Sequence, residues 1–140
     1  MTGYQIRELR ITDYEALLAL WQSTPGMGLS EADSRENLAV FLSRNAGLSF
    51  VALVGEEIIG TILCGHDGRR GFLYHLAVQK PQQGRGIGRS LVKHSLAGLK
   101  AAGITKCHLF VIADNSQGMS FWEHIGFKQR TDIHIFSRNL

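Results

Sequence analysis

The chain has 140 residues, 44% of them hydrophobic and 19% charged, with a formal net charge of +3 and a pI near 9.1. That length is enough for one domain whose core needs neither metal nor disulfide, and the composition excludes a disordered or low-complexity chain. No apolar run approaches the roughly 20 residues that cross a bilayer, and Met1 to Gln5 lacks the basic-then-apolar pattern of a secretory leader, so a cytoplasmic location is expected.

Tyr4 to Ile11 alternates, with Ile6 and Leu9 turned inward, and predicts a first strand. Thr12-Asp13-Tyr14-Glu15 is a capping-box pattern ahead of Leu17, Leu18, Leu20 and Trp21, the stripe of a first helix that Pro25-Gly26-Met27-Gly28 ends. Ser30 to Asp33 is a second cap signal, and Leu38, Phe41 and Leu42 carry a second helix to about Arg44. Ser49 to Val54 and Ile58 to His66 flank Gly55-Glu56-Glu57 as a hairpin. A second turn follows at Asp67-Gly68, inside the charged run from His66 to Gly71, which reads as a solvated turn. Phe72 to Val78 is apolar on both faces apart from Tyr74 and His75, which predicts a central strand covered on both sides. Regular alternation puts Tyr74 on the face of Phe72 and Leu76, and His75 on the opposite face.

That strand runs into Gln83-Gly84-Arg85-Gly86-Ile87-Gly88, a glycine-rich turn at the start of an amphipathic segment. Alternating glycines let backbone approach a ligand closely, and the free amides of a first helical turn favour an anion, so the run predicts a phosphate cradle. Arg85 and Arg89 add positive charge, and with Arg69, Arg70 and Lys80 they place part of the basic excess here, which explains it without nucleic acid. A dinucleotide fingerprint fails by one residue at Arg89, and no Walker lysine follows.

Beyond the turn, Ile87, Leu91, Val92, Leu96 and Leu99 form the face of a third helix that stops near Gly103. Ile104 to Ala113 predicts a strand, Asn115 to Ile125 a short helix stopped by Gly126, and Thr131 to Ser137 a closing strand. Cys64 and Cys107 lie in apolar segments without zinc-like spacing and read as buried free thiols; the histidines show no metal spacing either, so no metal is expected.

With Leu76-Ala77-Val78 and Pro81 ahead of it, the turn resembles the Q/R-x-x-G-x-G pyrophosphate loop of the GNAT family of acyl-CoA-dependent N-acyltransferases, Gln83, Gly86 and Gly88 standing at its defining positions. Asp114-Asn115 followed by Phe121 to Phe127 resembles the family's second motif. The resemblance implies an α/β (α+β) fold, a single GNAT-like domain with a mixed, mostly antiparallel sheet flanked by about four helices in the order β-α-α-β-β-β-α-β-α-β. It implies acetyl-CoA as cofactor, its pyrophosphate on Gln83, Gly84, Arg85, Gly86, Ile87, Gly88 and Arg89, its pantetheine arm along Leu76, Ala77 and Val78, and further contacts from Asn115 and Trp122. A helix N-cap is a compatible role for Asn115.

The chain departs from the family where Trp122 stands in place of a tyrosine that protonates the leaving thiolate; an indole cannot do this, which leaves water or another hydroxyl. The strand positions of the family's carboxylate bases hold Phe72 and Phe110. Tyr74 and His75 are the catalytic candidates, each with a structural alternative as a buried tyrosine or a hydrogen-bonding strand histidine. Glu31 and Asp33 lie where relatives bind the acceptor, although Asp33 also suits a cap. The expected activity is acetyl transfer to a primary amine by direct attack in a ternary complex, on a small-molecule or peptide acceptor, with a homodimer allowed. A non-catalytic acyl-CoA-binding or regulatory module is the alternative, prompted by the missing tyrosine and carboxylates.

Overall fold

The structure, a computed structural model, describes residues 3–140. Five strands, β1 (Gln5–Glu8), β2 (Phe50–Val54), β3 (Glu57–His66), β4 (Gly71–Val78) and β5 (Cys107–Leu109), form one sheet in sequence order. The first three junctions are antiparallel, β2–β3 and β3–β4 through short turns and β1–β2 across the helical segment between them; β5 joins β4 in parallel, which needs a crossover, and helix α3 (Ile87–Ala101) supplies it. Helices α1 (Tyr14–Gln22) and α2 (Arg35–Arg44) follow β1, and α4 (Ser116–His124) follows β5. The fold class expected from the sequence is the one observed. The described residues fall into two compact units, one running up to Phe110 and one from Val111 to Leu140.

In the first unit, one sheet face packs on α1 and α2 through Leu17, Leu20, Trp21, Leu38, Val51, Leu63 and Ala77. The other face packs on α3, where Ile87, Leu91, Val92 and Leu99 are buried. Glycine lets α3 come close: a Cβ on Gly71 would stand 2.5 Å from a Leu99 methyl. Helix entries differ in detail from the sequence pattern. Asp13 does not cap α1; its carboxylate accepts the Arg10 amide and a bidentate pair from Arg7, all at 2.9 Å, and so fixes a 3-10 turn at Ile11–Asp13. Ser30 and Asp33 likewise close a 3-10 turn, Glu31–Asp33, and Ser34 caps α2 through the Asn37 amide.

The β3–β4 ladder slips in its middle. Thr61 pairs with Ala77 and Leu63 with Tyr74, so His75 and Leu76 together oppose Ile62 in a β-bulge. His75 takes a left-handed backbone, φ 49°, the one non-glycine residue to do so among those described. Two successive side chains then turn to the same side. Tyr74 meets Phe41 of α2 and His75 meets Trp21 of α1, which corrects the expectation that His75 points to the face opposite Tyr74.

Two strand predictions are also corrected. β5 spans Cys107–Leu109 and not 104–113, because the Ile104 amide is held by the last turn of α3, donating to Leu99 O at 3.0 Å. The segment 131–137 forms no strand. Alternation supplies only half of a strand; a ladder partner is the other half, none pairs with this backbone, and Ile133, Ile135 and Phe136 are exposed.

Candidate active site

α3 begins without a side-chain cap. Its N-cap is Gly86, left-handed at φ 78°, and Gly84 two residues earlier is left-handed at φ 83°. A Cβ on either would meet nothing within 4 Å, so the cradle wall is open space over backbone. The amides of Ile87, Gly88 and Arg89 therefore start a 15-residue helix with no side-chain cap among the described residues, and the helix dipole adds about half a positive charge there. This is an arrangement built for an anion. Gln83 donates from Nε2 to Val78 O at 3.0 Å, tying the loop to the end of β4, and Arg85 donates to Gln82 Oε1.

β4 itself opens beside this loop. β5 pairs with it only at Gly71, Phe72 and Leu73, so the stretch from Tyr74 to Val78, which includes Leu76 and Ala77, has no strand partner on the β5 side. Beyond the left-handed His75, the backbone from Leu76 to Val78 offers main-chain donors and acceptors on that side to a short extended ligand arm.

The bulge aims His75 into a polar corner within an apolar layer. Its Nε2 lies 2.7 Å from Asp33 Oδ1, and its ring packs edge-on to Trp21 with centroids 4.8 Å apart. Asp33 is 9% exposed, and its other carboxylate oxygen accepts the Ser30 amide at 3.0 Å. Its carbonyl accepts the Tyr14 hydroxyl at 2.6 Å. Both Asp33 oxygens are thus engaged, whereas Glu31 is exposed. Thr61, fully buried, accepts from Trp21 Nε1 and donates to His75 O, each at 3.0 Å, which fixes the bulged backbone from beneath. Thr61 and Trp21 escaped the sequence reading as site residues, and no local signal marks them: they lie 14 and 54 positions from His75 and meet it only through the fold.

Tyr74 is not the buried, hydrogen-bonded tyrosine of the structural alternative. It is 38% exposed, and its hydroxyl has no protein partner among the described residues. Partial burial still raises its pKa, so the phenol stays protonated at neutral pH. It stacks on Phe72, which in turn contacts Phe110 with centroids 6.1 Å apart, so the phenylalanines at the family's carboxylate positions form an aromatic ledge. Burial pushes the Cys64 thiol up to about 12 and the Cys107 thiol up to about 11, which leaves neither as a thiolate near neutrality. Cys64 is buried as expected; Cys107 is only half-buried, since it sits on the short edge strand β5.

In the second unit, Asn115 caps α4, its Oδ1 accepting the Gly118 amide at 2.9 Å. Trp122 packs edge-on between Phe121 and Phe127, with centroids 5.2 and 5.1 Å away. A separate cavity of about 590 Å³ near Arg7, Glu15, Ser23 and Glu57 includes none of the glycine-loop residues. Among the described residues no helix is long and apolar enough to cross a membrane.

The family model described as acetyltransferase (GNAT) family matches residues 6–127, most of the chain. The chain belongs to the GNAT acetyltransferase family. An acetyltransferase of Photorhabdus laumondii subsp. laumondii is 33% identical over 141 aligned positions, covering 97% of this chain and 95% of that protein. One from Pectobacterium atrosepticum is 32% identical and covers 89% of this chain and 87% of its own. Among solved structures, the PaiA N-acetyltransferase of Thermoplasma acidophilum, in complex with coenzyme A, superposes with a TM-score of 0.76 at 27% identity, over 90% of both chains. The GNAT match reaches across both compact units, and the sheet, the crossover helix and the glycine turn fall inside it.

Proposed function

We propose that this GNAT acetyltransferase moves an acetyl group from acetyl-CoA to a primary amine by direct attack in a ternary complex, as a single domain acting in the cytoplasm on a small-molecule or peptide acceptor. The observation that carries the cofactor is the uncapped start of α3 behind two left-handed glycines, at the end of a strand whose edge is free. Acetyl-CoA, when bound, supplies a thioester carbon open to attack by an amine.

The chain's own groups divide the remaining work. Amides from Gly84 to Arg89 hold the pyrophosphate, where fixed dipoles need no reorganisation on binding. Leu76, Ala77 and Val78 offer main-chain donors and acceptors to the pantetheine arm and keep it in line with the attacking nitrogen. His75 takes the proton that the amine must shed, a role for which imidazole is the suited side chain at neutral pH. Tyr74, protonated and with an unpartnered hydroxyl on the same side, would give its Oη proton to the thiolate released as the C–S bond breaks and regain one from solvent, the task of the tyrosine missing at Trp122. Direct attack is supported by the two thiols, both held protonated, since a covalent relay needs a thiolate.

The deciding experiment follows thiol release from acetyl-CoA across amines, amino acids, polyamines and short peptides. Acceptor-dependent release is expected. Saturable binding of CoA without release for any acceptor would sink the transfer reaction and leave a binding module.

A further inference from the structure

His75 carries three features that a plain strand histidine does not need. It holds a left-handed backbone, it sits in a bulge that turns it out of the strand's alternation, and it meets a nearly buried carboxylate at 2.7 Å. Left-handed non-glycine residues persist only where the surroundings fix them, and such residues gather at functional sites. Here the fixing groups are Thr61 on the carbonyl, Trp21 in a T-shaped contact with the ring and Asp33 on the ring nitrogen.

The carboxylate decides which nitrogen carries the proton. An ionised carboxylate has only acceptors, and Asp33 already takes the Ser30 amide on Oδ2, so the short contact at Oδ1 requires a donor at Nε2. In the neutral imidazole Nδ1 is then the bare nitrogen, and among the described residues it has no hydrogen-bond partner. We propose that Asp33 is a positioning residue that locks the His75 imidazole as the Nε2–H tautomer and presents Nδ1 as the base toward the acceptor amine. The proposal rests on the acetyl-transfer reading of the site. It also reassigns Asp33, which the sequence suggested as an acceptor contact, to work through His75. Among the described residues, the imidazole has a ring contact with Trp21 of α1 and a charged partner in Asp33, while Thr61 of β3 holds the backbone beneath it and Tyr74 turns to Phe41 of α2.

The test is Asp33→Asn, read first by nitrogen-15 spectra of the imidazole and then by kinetics. The amide can keep an oxygen on the Ser30 N–H, so the turn before α2 keeps its cap, while its NH2 faces Nε2 and makes that nitrogen the acceptor. Wild-type protein is expected to show the Nε2–H tautomer and Asp33→Asn the Nδ1–H tautomer. The rate constant kcat should fall at least about 100-fold with acceptor KM little changed, because the proton now occupies the basic nitrogen. The double variant Asp33→Asn/His75→Gln should be no slower than His75→Gln alone, as expected of residues acting as one unit. An Nδ1–H tautomer in wild-type protein, or additive losses in the double variant, overturns the pairing. The spectra need no substrate, so they decide the pairing even if no amine is turned over. Unchanged rates in both single variants, with the expected tautomers, overturn the use of His75 as base.

Discussion

Thr61 joins two residues that the sequence keeps far apart, and its hydroxyl has a partner on each side: the Trp21 indole gives to it and the His75 carbonyl takes from it. Valine has nearly the same shape but no hydroxyl, so Thr61→Val leaves a buried donor and a buried acceptor unpaired. That should cost about 1–3 kcal/mol, measurable by urea unfolding, and should lower kcat by loosening the bulge. The His75 aim was not legible in the sequence. Period-2 alternation assumes an unbroken ladder, and one extra residue in β4 reverses the face expected for His75 and the residues after it. The Asp33 contact was equally hidden, because 42 residues separate the pair and Asp33 announces itself locally only as a turn cap. Backbone was more legible: glycines at 84 and 86 take left-handed dihedrals, and their alternating spacing ahead of a helical stripe had marked them as special backbone positions.

At the level of elements, the junction of β4, its loop and α3 is the proposed cofactor site, and two substitutions probe it separately. Gly86→Asp places a carboxylate at a left-handed position that aspartate tolerates, in open space, next to a helix start that favours negative charge. The fold should therefore survive with an unchanged circular-dichroism spectrum, while CoA binding by calorimetry falls at least about 100-fold, since the new carboxylate occupies the phosphate position. Unchanged affinity in the folded variant would remove the cradle assignment. Gly71→Ala acts on the other side of the same helix. Its Cβ would stand 2.5 Å from a methyl of Leu99, which is 2% exposed, so either that side chain turns within the core or α3 shifts from β4. The expected loss is about 1–3 kcal/mol in thermal or urea unfolding. The third helix was readable from its apolar stripe. The absence of the expected closing strand was not, because alternation in 131–137 says nothing about whether a neighbouring backbone accepts it.

For the whole molecule, the reaction order follows from the state of its thiols. With Cys64 and Cys107 both protonated near neutrality, initial rates varied in acetyl-CoA and acceptor should give intersecting lines; parallel lines would require a covalent acyl-enzyme. Cys107→Ala should retain full activity. Linkage gives a further measurable sign. The Cys64 pKa is raised from 9.0 to about 12 in the folded protein, so its contribution is complete below about pH 9 and is lost as the pH climbs toward 12. Wild-type protein should therefore lose more stability than Cys64→Ala across that window.

The open edge of β4 carries a hazard as well as a use. Unpaired, extended backbone invites a strand from another chain, and such templates seed self-association. The bulge at His75 spoils the template, because a partner strand arriving beside Tyr74 would meet donors and acceptors out of step within two residues. The distortion that turns an imidazole toward its carboxylate thus also keeps a sticky edge from recruiting copies, so straightening β4 by deleting one residue of the bulge should show up as aggregation in light scattering.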